Sequence, residues 1–392
     1  MPGKWFADIA FESLNCGGER ICGDTFAYRR IRTEHRTVAV LSDGMGHGVK
    51  ANVLSTLTAS MMVNFAPVKE DIERSARIIL NNLPVCSVRK ISYSTFTVVD
   101  IDHATEEVAV AEHDNPRSIV LRESEPLSLQ REATVIRGHG NRPQTVYTSR
   151  FTARQGDRIV LVSDGITQSG RGTDGQPFGW GEERLAEFIG RIVQRNPRRT
   201  AGELAIDILN EAWNNDGRCS QDDMSCAVIH FREPKRVLLA SCPPARRNQY
   251  REYTATIRGF DGTKILCGHP LAEIYAREQH ADIVRPFSET GEPSPVWHIP
   301  GIDLTTEGTG VLSRLFDLLS DGDAFPQERE PAAEVRRLLL SGDEITLMMG
   351  TRKNAEESSY FPGEFELRRQ LLRRIASLLE NRYGKELKIC YI

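Results

Sequence analysis

No stretch of this sequence is apolar for long enough to span a membrane as a helix. The opening Met1-Pro2-Gly3-Lys4-Trp5 lacks the apolar core of a secretory signal, so neither export nor a membrane partner is expected. There is no excess of charge either. A formal net charge of -4 over 392 residues excludes the electrostatic footprint of a nucleic-acid binder. The 8 cysteines (Cys16, Cys22, Cys86, Cys219, Cys226, Cys242, Cys267, Cys390) form no C-x-x-C pair. That argues against a zinc ribbon and against a disulfide framework, and a reducing cytoplasm is the expected setting. No internal repeat and no low-complexity linker interrupts the chain.

What is present fits a globular protein of two domains, 1–233 and 234–392. Hydrophobic residues make up 40% and charged ones 27%. In the first part, Thr37–Leu41, Ser94–Ile101, Glu107–Ala111, Ser118–Arg122, Arg158–Val162 and Met224–Phe231 read as strands. Helices are expected from Val49 to Phe65, with Val53, Leu57 and Met61 along one face, and over Ile72, Ala76, Ile79 and Leu83 up to Pro84. Two more carry Leu185, Phe188, Ile189 and Ile192, and the capping box Thr200-Ala201-Gly202-Glu203. This order suits two sheets covered by helices, an α+β arrangement, rather than a doubly wound sheet.

From Lys235 the pattern becomes α/β. Strands are expected at Arg236–Ala240, Lys264–Cys267, Glu344–Met349 and Lys385–Ile392. Helices are expected at Asn248–Ile257, behind Pro270, and at Val311–Leu319, Ala332–Leu340 and Phe365–Tyr383. The basic pairs Arg368-Arg369 and Arg373-Arg374 on the last helix read as a solvated face.

Four aspartates stand where strands should end: Asp24, Asp43, Asp164 and Asp222, the last followed by Asp223. A carboxylate at a strand end is held by a rigid element, and a following glycine allows close backbone approach. Singly, an Asp-Gly after a strand is usually a turn. The twin Leu41-Ser42-Asp43-Gly44 and Val162-Ser163-Asp164-Gly165, with the acidic pair before the last strand, makes coincidence a poor account. Converging carboxylates are costly unless a cation joins them, and all-oxygen ligands select magnesium, manganese or calcium over zinc.

The set Cys22-Gly23-Asp24, Ser42-Asp43-Gly44-Met45-Gly46-His47-Gly48, Val162-Ser163-Asp164-Gly165 and Ser220-Gln221-Asp222-Asp223-Met224-Ser225 resembles the PPM (protein phosphatase 2C-like) superfamily. Its Asp-Gly-Met-Gly form is similar to the bacterial branch of stage II sporulation protein E. The resemblance covers about the first 230 residues. It implies an α-β-β-α sandwich of two antiparallel sheets flanked by helices, here followed by the smaller α/β domain. It also implies a cytoplasmic serine/threonine phosphatase with two divalent cations, Mn2+ or Mg2+. Asp43 and the Gly44 carbonyl would be ligands, Asp164 and Asp222 would hold the cations from the other side, Asp24 would act from the outer shell, and Asp223 would offer a further metal position. Two such cations acidify a shared water for in-line attack on phosphorus, so no cysteine nucleophile is implied.

The sequence departs from the pattern at Met45, where many eukaryotic relatives carry histidine. His47 reads as a helix-start residue, the general acid stays unassigned, and no N-terminal phosphate-binding arginine can be matched. The implied partner is a phosphoprotein, such as an anti-sigma-factor antagonist or a redox-system regulator, and a homodimer stays open. The segment from Leu83 to Thr97 resembles a subset associated with redox systems, which would make Cys22 and Cys86 sensitive thiols; small core residues are the plainer account. In the second domain, Leu266-Cys267-Gly268-His269-Pro270 and Thr305-Thr306-Glu307-Gly308-Thr309-Gly310 lie at strand-to-helix junctions where amides can meet an anion. No catalytic motif is present there, and a regulatory or docking role is expected. Rival readings are a catalytically weak phosphoprotein scaffold and a redox- or ligand-responsive regulator.

Overall fold

The computed structural model describes residues 5–65, 94–136, 143–244, 246–285, 296–321, 330–350 and 362–392. The expected helix through Ile72 and Leu83, and Cys86, lie outside them. The chain divides into two compact units, Met1–Glu233 and Pro234–Ile392.

The first unit contains strands β1 (Phe6–Leu14), β2 (Thr25–Ile31), β3 (Arg36–Ser42), β4 (Phe96–Asp102), β5 (Glu107–His113), β6 (Ile119–Arg122), β7 (Glu125–Pro126), β8 (Arg131–Ile136), β9 (Gln144–Thr152), β10 (Arg158–Val162) and β11 (Met224–Arg232). They form two antiparallel sheets, β1-β11-β10-β6-β7 and β2-β3-β4-β5-β9-β8. Strand alternation sorts the side chains into layers. Ala39 and Leu41 of β3, Ile159 and Leu161 of β10, and Ala227 and Ile229 of β11 fill the space between the sheets. Their alternates face outwards. Val38 and Val40 pack under the helix Gly48–Phe65, and Val160, Val162, Cys226 and Val228 pack under Glu182–Arg195 and Ala201–Asn215. The result is an α-β-β-α sandwich.

The helix Gly48–Phe65 presents a different face from the expected one. Val53 and Leu57 are 59% and 44% exposed, whereas Ala51, Ser55, Thr58, Ala59 and Met62 are buried. Small residues let this helix lie close to its sheet, where Asn52 Nδ2 donates to Cys22 O and Ser55 Oγ donates to Gly23 O. Backbone proximity won over side-chain bulk. The capping box forms: Thr200 Oγ1 accepts from Glu203 N, and Glu203 accepts from Thr200 N.

The second unit is doubly wound. Strands β12 (Arg236–Ser241), β13 (Thr263–Cys267), β14 (Val296–Trp297), β15 (Leu304–Thr306), β16 (Glu344–Met349) and β17 (Glu386–Tyr391) lie in the order β14-β15-β13-β12-β16-β17. All pairs are parallel except β14 with β15. Helices Tyr250–Arg258 and His269–Gln279 cover one face, and Thr309–Ser320, Pro331–Ser341 and Pro362–Asn381 cover the other. Arg373 and Arg374 are exposed, but Arg368 and Arg369 are half-buried rather than on a solvated face. Arg368 reaches across to donate from Nε to Thr309 Oγ1. Among the described residues, no helix is long and apolar enough to cross a membrane.

Candidate metal centre

Two strand pairings explain why aspartates far apart in sequence meet. In the second-named sheet, Thr25 pairs with Ser42, so Asp24, just before β2, lies beside Asp43, just after β3. In the other sheet, Val162 of β10 pairs with Cys226 of β11, which brings Asp164 near Asp222 and Asp223. Antiparallel partners place the end of one strand beside the start of the next. Asp43 and Asp164 therefore follow strands, whereas Asp24 and Asp222 precede them. The expectation that all four follow strands is corrected on that point.

The Ser-Asp-Gly twins share a local logic. Both serines are fully buried and tie neighbouring strands together. Ser42 Oγ bonds Ser94 Oγ at 2.6 Å and donates to Thr95 O at 2.8 Å. Ser163 Oγ accepts from Ser225 N at 2.9 Å. Both glycines lie against backbone that leaves no room for a side chain. A Cβ on Gly44 would stand 2.1 Å from Ala51 O, and one on Gly165 would stand 2.2 Å from Asp223 O. The glycines thus let the helix and the β11 approach close onto the aspartates.

The carboxylates press on one another. Asp24 is 5% exposed, and its Oδ2 makes no hydrogen bond within the usual distance. Burial raises its pKa, with Asp223 and Asp164 adding to the rise while the Ser225 and Ser163 hydroxyls oppose it. Asp43 is raised further, by burial first and then by the charges of Asp24, Asp164 and Asp222. Asp164 and Asp222 are also raised, chiefly by burial. Such a group is stable only when protons or a cation offset the repulsion.

Oxygen donors fit Mg2+ or Mn2+ in kind. Among the described residues, no three or more His, Cys, Asp or Glu side chains form a ready-made cation cage.

Asp223 is placed differently. It is 3% exposed, and its oxygens accept from Cys16 N and Gly23 N, both at 2.9 Å. It clamps the loop before β2 to the start of β11. Sequence reasoning missed Gln168, whose Nε2 donates to Asp164 Oδ2 at 2.8 Å, one turn along the helical segment Asp164–Thr167 and its cap. Its spacing of four from Asp164 was the available signal. It also missed the anchoring serines, although the twinned Ser-Asp-Gly displayed two of them. His47 is exposed, with Nδ1 bonded to Glu19 Oε1 at 2.7 Å. Cys22 lies beside Ser225, and burial together with Asp24 pushes its thiol up to about 12, which is the environment of an unreactive thiol.

The sequence profile of the stage II sporulation protein E family matches residues 33–232. Among solved structures, the phosphatase domain of SpoIIE from Bacillus subtilis is similar at 16% identity, over 59% of this chain and 95% of that one, with a TM-score of 0.46. The RsbU and RsbW domains of a Mycobacterium tuberculosis protein are similar at 18% identity over 72% of this chain and 71% of that one, with a TM-score of 0.46. RsbX in complex with magnesium is similar at 18% identity over 58% of this chain and 99% of that one, with a TM-score of 0.40. No curated protein matches.

Proposed function

The chain belongs to the stage II sporulation protein E family of PPM phosphatases, and from that premise we propose that its first unit hydrolyses phosphoserine or phosphothreonine on a regulatory protein. The observation that carries this reading is the convergence of Asp24, Asp43, Asp164 and Asp222 at the matched ends of two antiparallel strand pairs. Asp43, the Gly44 carbonyl, Asp164 and Asp222 would hold two divalent cations, Mg2+ or Mn2+, with Asp24 behind them. Bound there, the cations would supply an acidified water and neutralise the phosphoryl oxygens.

The remaining work falls to the protein. Strands β3 and β10 fix Asp43 and Asp164 on opposing sheets, so the distance between them is set by the sandwich rather than by loops. Gln168 orients the Asp164 carboxylate through its hydrogen bond. Ser163 Oγ, accepting from Ser225 N, ties the end of β10 to the start of β11 beside the cluster. Asp223 serves as a positioning residue, because both of its oxygens are engaged by backbone amides. We assign no role as general acid to His47, whose ring is engaged by Glu19. The free thiols of the described cysteines accord with a reducing compartment such as the cytoplasm.

The test is hydrolysis of para-nitrophenyl phosphate and of a phosphoserine peptide, with Mn2+ or with chelator, by wild type and Asp43→Ala. Turnover that needs the metal and disappears in the variant is expected. Equal turnover in chelator, or an active Asp43→Ala protein, would refute the assignment.

A further inference from the structure

Beyond Asp164 the chain runs through a tight loop before the helix Glu182–Arg195 begins. Hydrogen bonds tie the start of that loop to the carboxylate cluster at two points. Gln168 Nε2 donates to Asp164 Oδ2 at 2.8 Å, and the other end of the same amide, Oε1, accepts from Arg171 Nη1 at 3.1 Å. The amide therefore bridges a carboxylate of the cluster and a guanidinium. Asp216, at the end of the helix Ala201–Asn215, supplies the other tie. Its Oδ1 accepts from Gly170 N at 2.6 Å, and its Oδ2 accepts at 3.1 Å from the amide of Gln221, the residue before Asp222. Arg171 is thus positioned from both sides, through Gln168 to Asp164 and through Asp216 to the stretch that carries Asp222.

The backbone of the loop is shaped to present this side chain. Arg171 stands between Gly170 at φ 73° and Gly172 at φ 84°, both in the left-handed region that favours glycine. Gly170 is buried as well, and a Cβ there would stand 2.3 Å from Gln176 Oε1, whereas Arg171 is exposed. The rest of the loop is braced. Thr173 Oγ1 donates to Gly170 O at 2.8 Å, and Arg184 donates to Gly175 O and Gly179 O, both at 3.1 Å. Among the described residues the Arg171 guanidinium makes no ion pair, although Asp174 follows three residues later in the same loop, and Gln168 is its one partner. Its charge is held by a neutral amide rather than offset by a carboxylate, and its remaining N–H groups stay open.

We propose that Arg171 binds the phosphoryl group of the phosphoprotein substrate, and the phosphate released from it, at the edge of the carboxylate cluster. This rests on the phosphatase reading above and adds a substrate-binding residue to it. A guanidinium offers paired donors that match two oxygens of a phosphoryl group. That group carries close to two negative charges, and the acidic residues around Asp164 and Asp222 repel it unless positive charge faces it. Arg171 supplies that charge at a place fixed by Gln168 and Asp216. Substrate and product present similar oxygens around phosphorus, so Arg171 holds both and acts on binding more than on the chemical step.

The test compares the full chain with Arg171→Gln and Arg171→Lys in saturating Mn2+. Calorimetric titration with inorganic phosphate, against chloride at matched ionic strength, reads the site without turnover. Arg171→Gln should weaken phosphate binding roughly tenfold or more. Arg171→Lys should weaken it less, because it keeps the charge without the paired donors. With para-nitrophenyl phosphate, KM should rise by a similar factor and kcat should change less. Mn2+ affinity and melting temperature should stay at wild-type values, since the side chain is exposed and Gln168 keeps its bond to Asp164. A wild type that takes up no phosphate, unaltered phosphate binding in Arg171→Gln, or a fall in Mn2+ affinity large enough to account for the weaker binding would overturn the proposal. Arg171-dependent phosphate binding by a chain that hydrolyses nothing would refute the phosphatase reading alone, whereas turnover with an unaltered KM in Arg171→Gln would refute this proposal alone.

Discussion

Replacing Asp43 by asparagine should stabilise the protein in chelator while abolishing its metal-dependent turnover. Burial and the charges of Asp24, Asp164 and Asp222 move the Asp43 carboxyl from the ordinary 3.8 up to about 10. A carboxyl raised in the fold binds its proton more tightly there than in the unfolded chain. Its contribution is therefore present at low pH and declines as pH rises between those two values. At about pH 7 the unfolded group is ionised while the folded one is protonated. The gap of roughly three pH units corresponds to about 4 kcal/mol at about 1.4 kcal/mol per unit. Asp43 is not fully enclosed, and solvent screening lowers this to about 2–4 kcal/mol. Asparagine has the shape without the charge and should recover most of that, a rise in melting temperature of roughly 5–15 °C for a unit of this size. Thermal melts of wild type and Asp43→Asn in chelator, across about pH 5–9, read the effect directly. The difference should widen with pH in wild type's disfavour, and added Mn2+ should raise the melting point of wild type only. An Asp43→Asn protein that melts at or below wild type in chelator would refute the account of mutual repulsion.

Two further outcomes follow from the same geometry. Gly165→Ala would set a methyl group 2.2 Å from Asp223 O. The displacement of the β11 approach should destabilise the unit by about 1–3 kcal/mol and lower turnover roughly a hundredfold by misplacing Asp222, as denaturant titration and phosphate release would show; near-normal values of both would contradict the packing argument. His230 is buried beside Arg158, and burial first, then that charge, push it from the ordinary 6.5 down to about 4. A histidine held neutral in the fold contributes above its unfolded pKa and loses that contribution as pH falls from 6.5 towards 4, by up to about 3 kcal/mol. His230→Phe should flatten the acid limb of the stability curve there, and an unchanged limb would exclude this residue.

The sequence made strand ends legible wherever an apolar run met a polar stop. Arg158–Val162 before Ser163-Asp164-Gly165 is the clearest case, because all five residues are buried. The strands it hid are those that alternate weakly or lie at edges. β1 and β2 carry mostly half-exposed side chains, and β8 is largely exposed, so neither period nor composition marks them. The helix Gly48–Phe65 was visible as a helix but not as to which side faces in. Over its first three turns the buried surface consists of alanine, serine and threonine, with Met62 and Val63 joining only near its end, and a search for large apolar residues passes over the former. Arg368 and Arg369 read as solvated because charge near a helix surface usually is, and only the tertiary fold brings Arg368 to the glycines of two distant turns.

The carboxylate cluster follows the same division. Its carboxylates were legible because strand-end aspartates are few and their motifs repeat. Their supports were not, because Gln168, Ser225 and Asp223 act through contacts that depend on which strands pair. Asp223 is the instructive case. Next to Asp222 in sequence, it points across to the amides of Cys16 and Gly23, because the β11 approach sits against the loop that precedes β2. One aspartate of the pair therefore faces the carboxylate cluster while the other fixes the loop that delivers Asp24 to it. That division lets the sandwich hold several repelling charges close together, since the energy that keeps them there comes from backbone hydrogen bonds and sheet pairing outside the cluster.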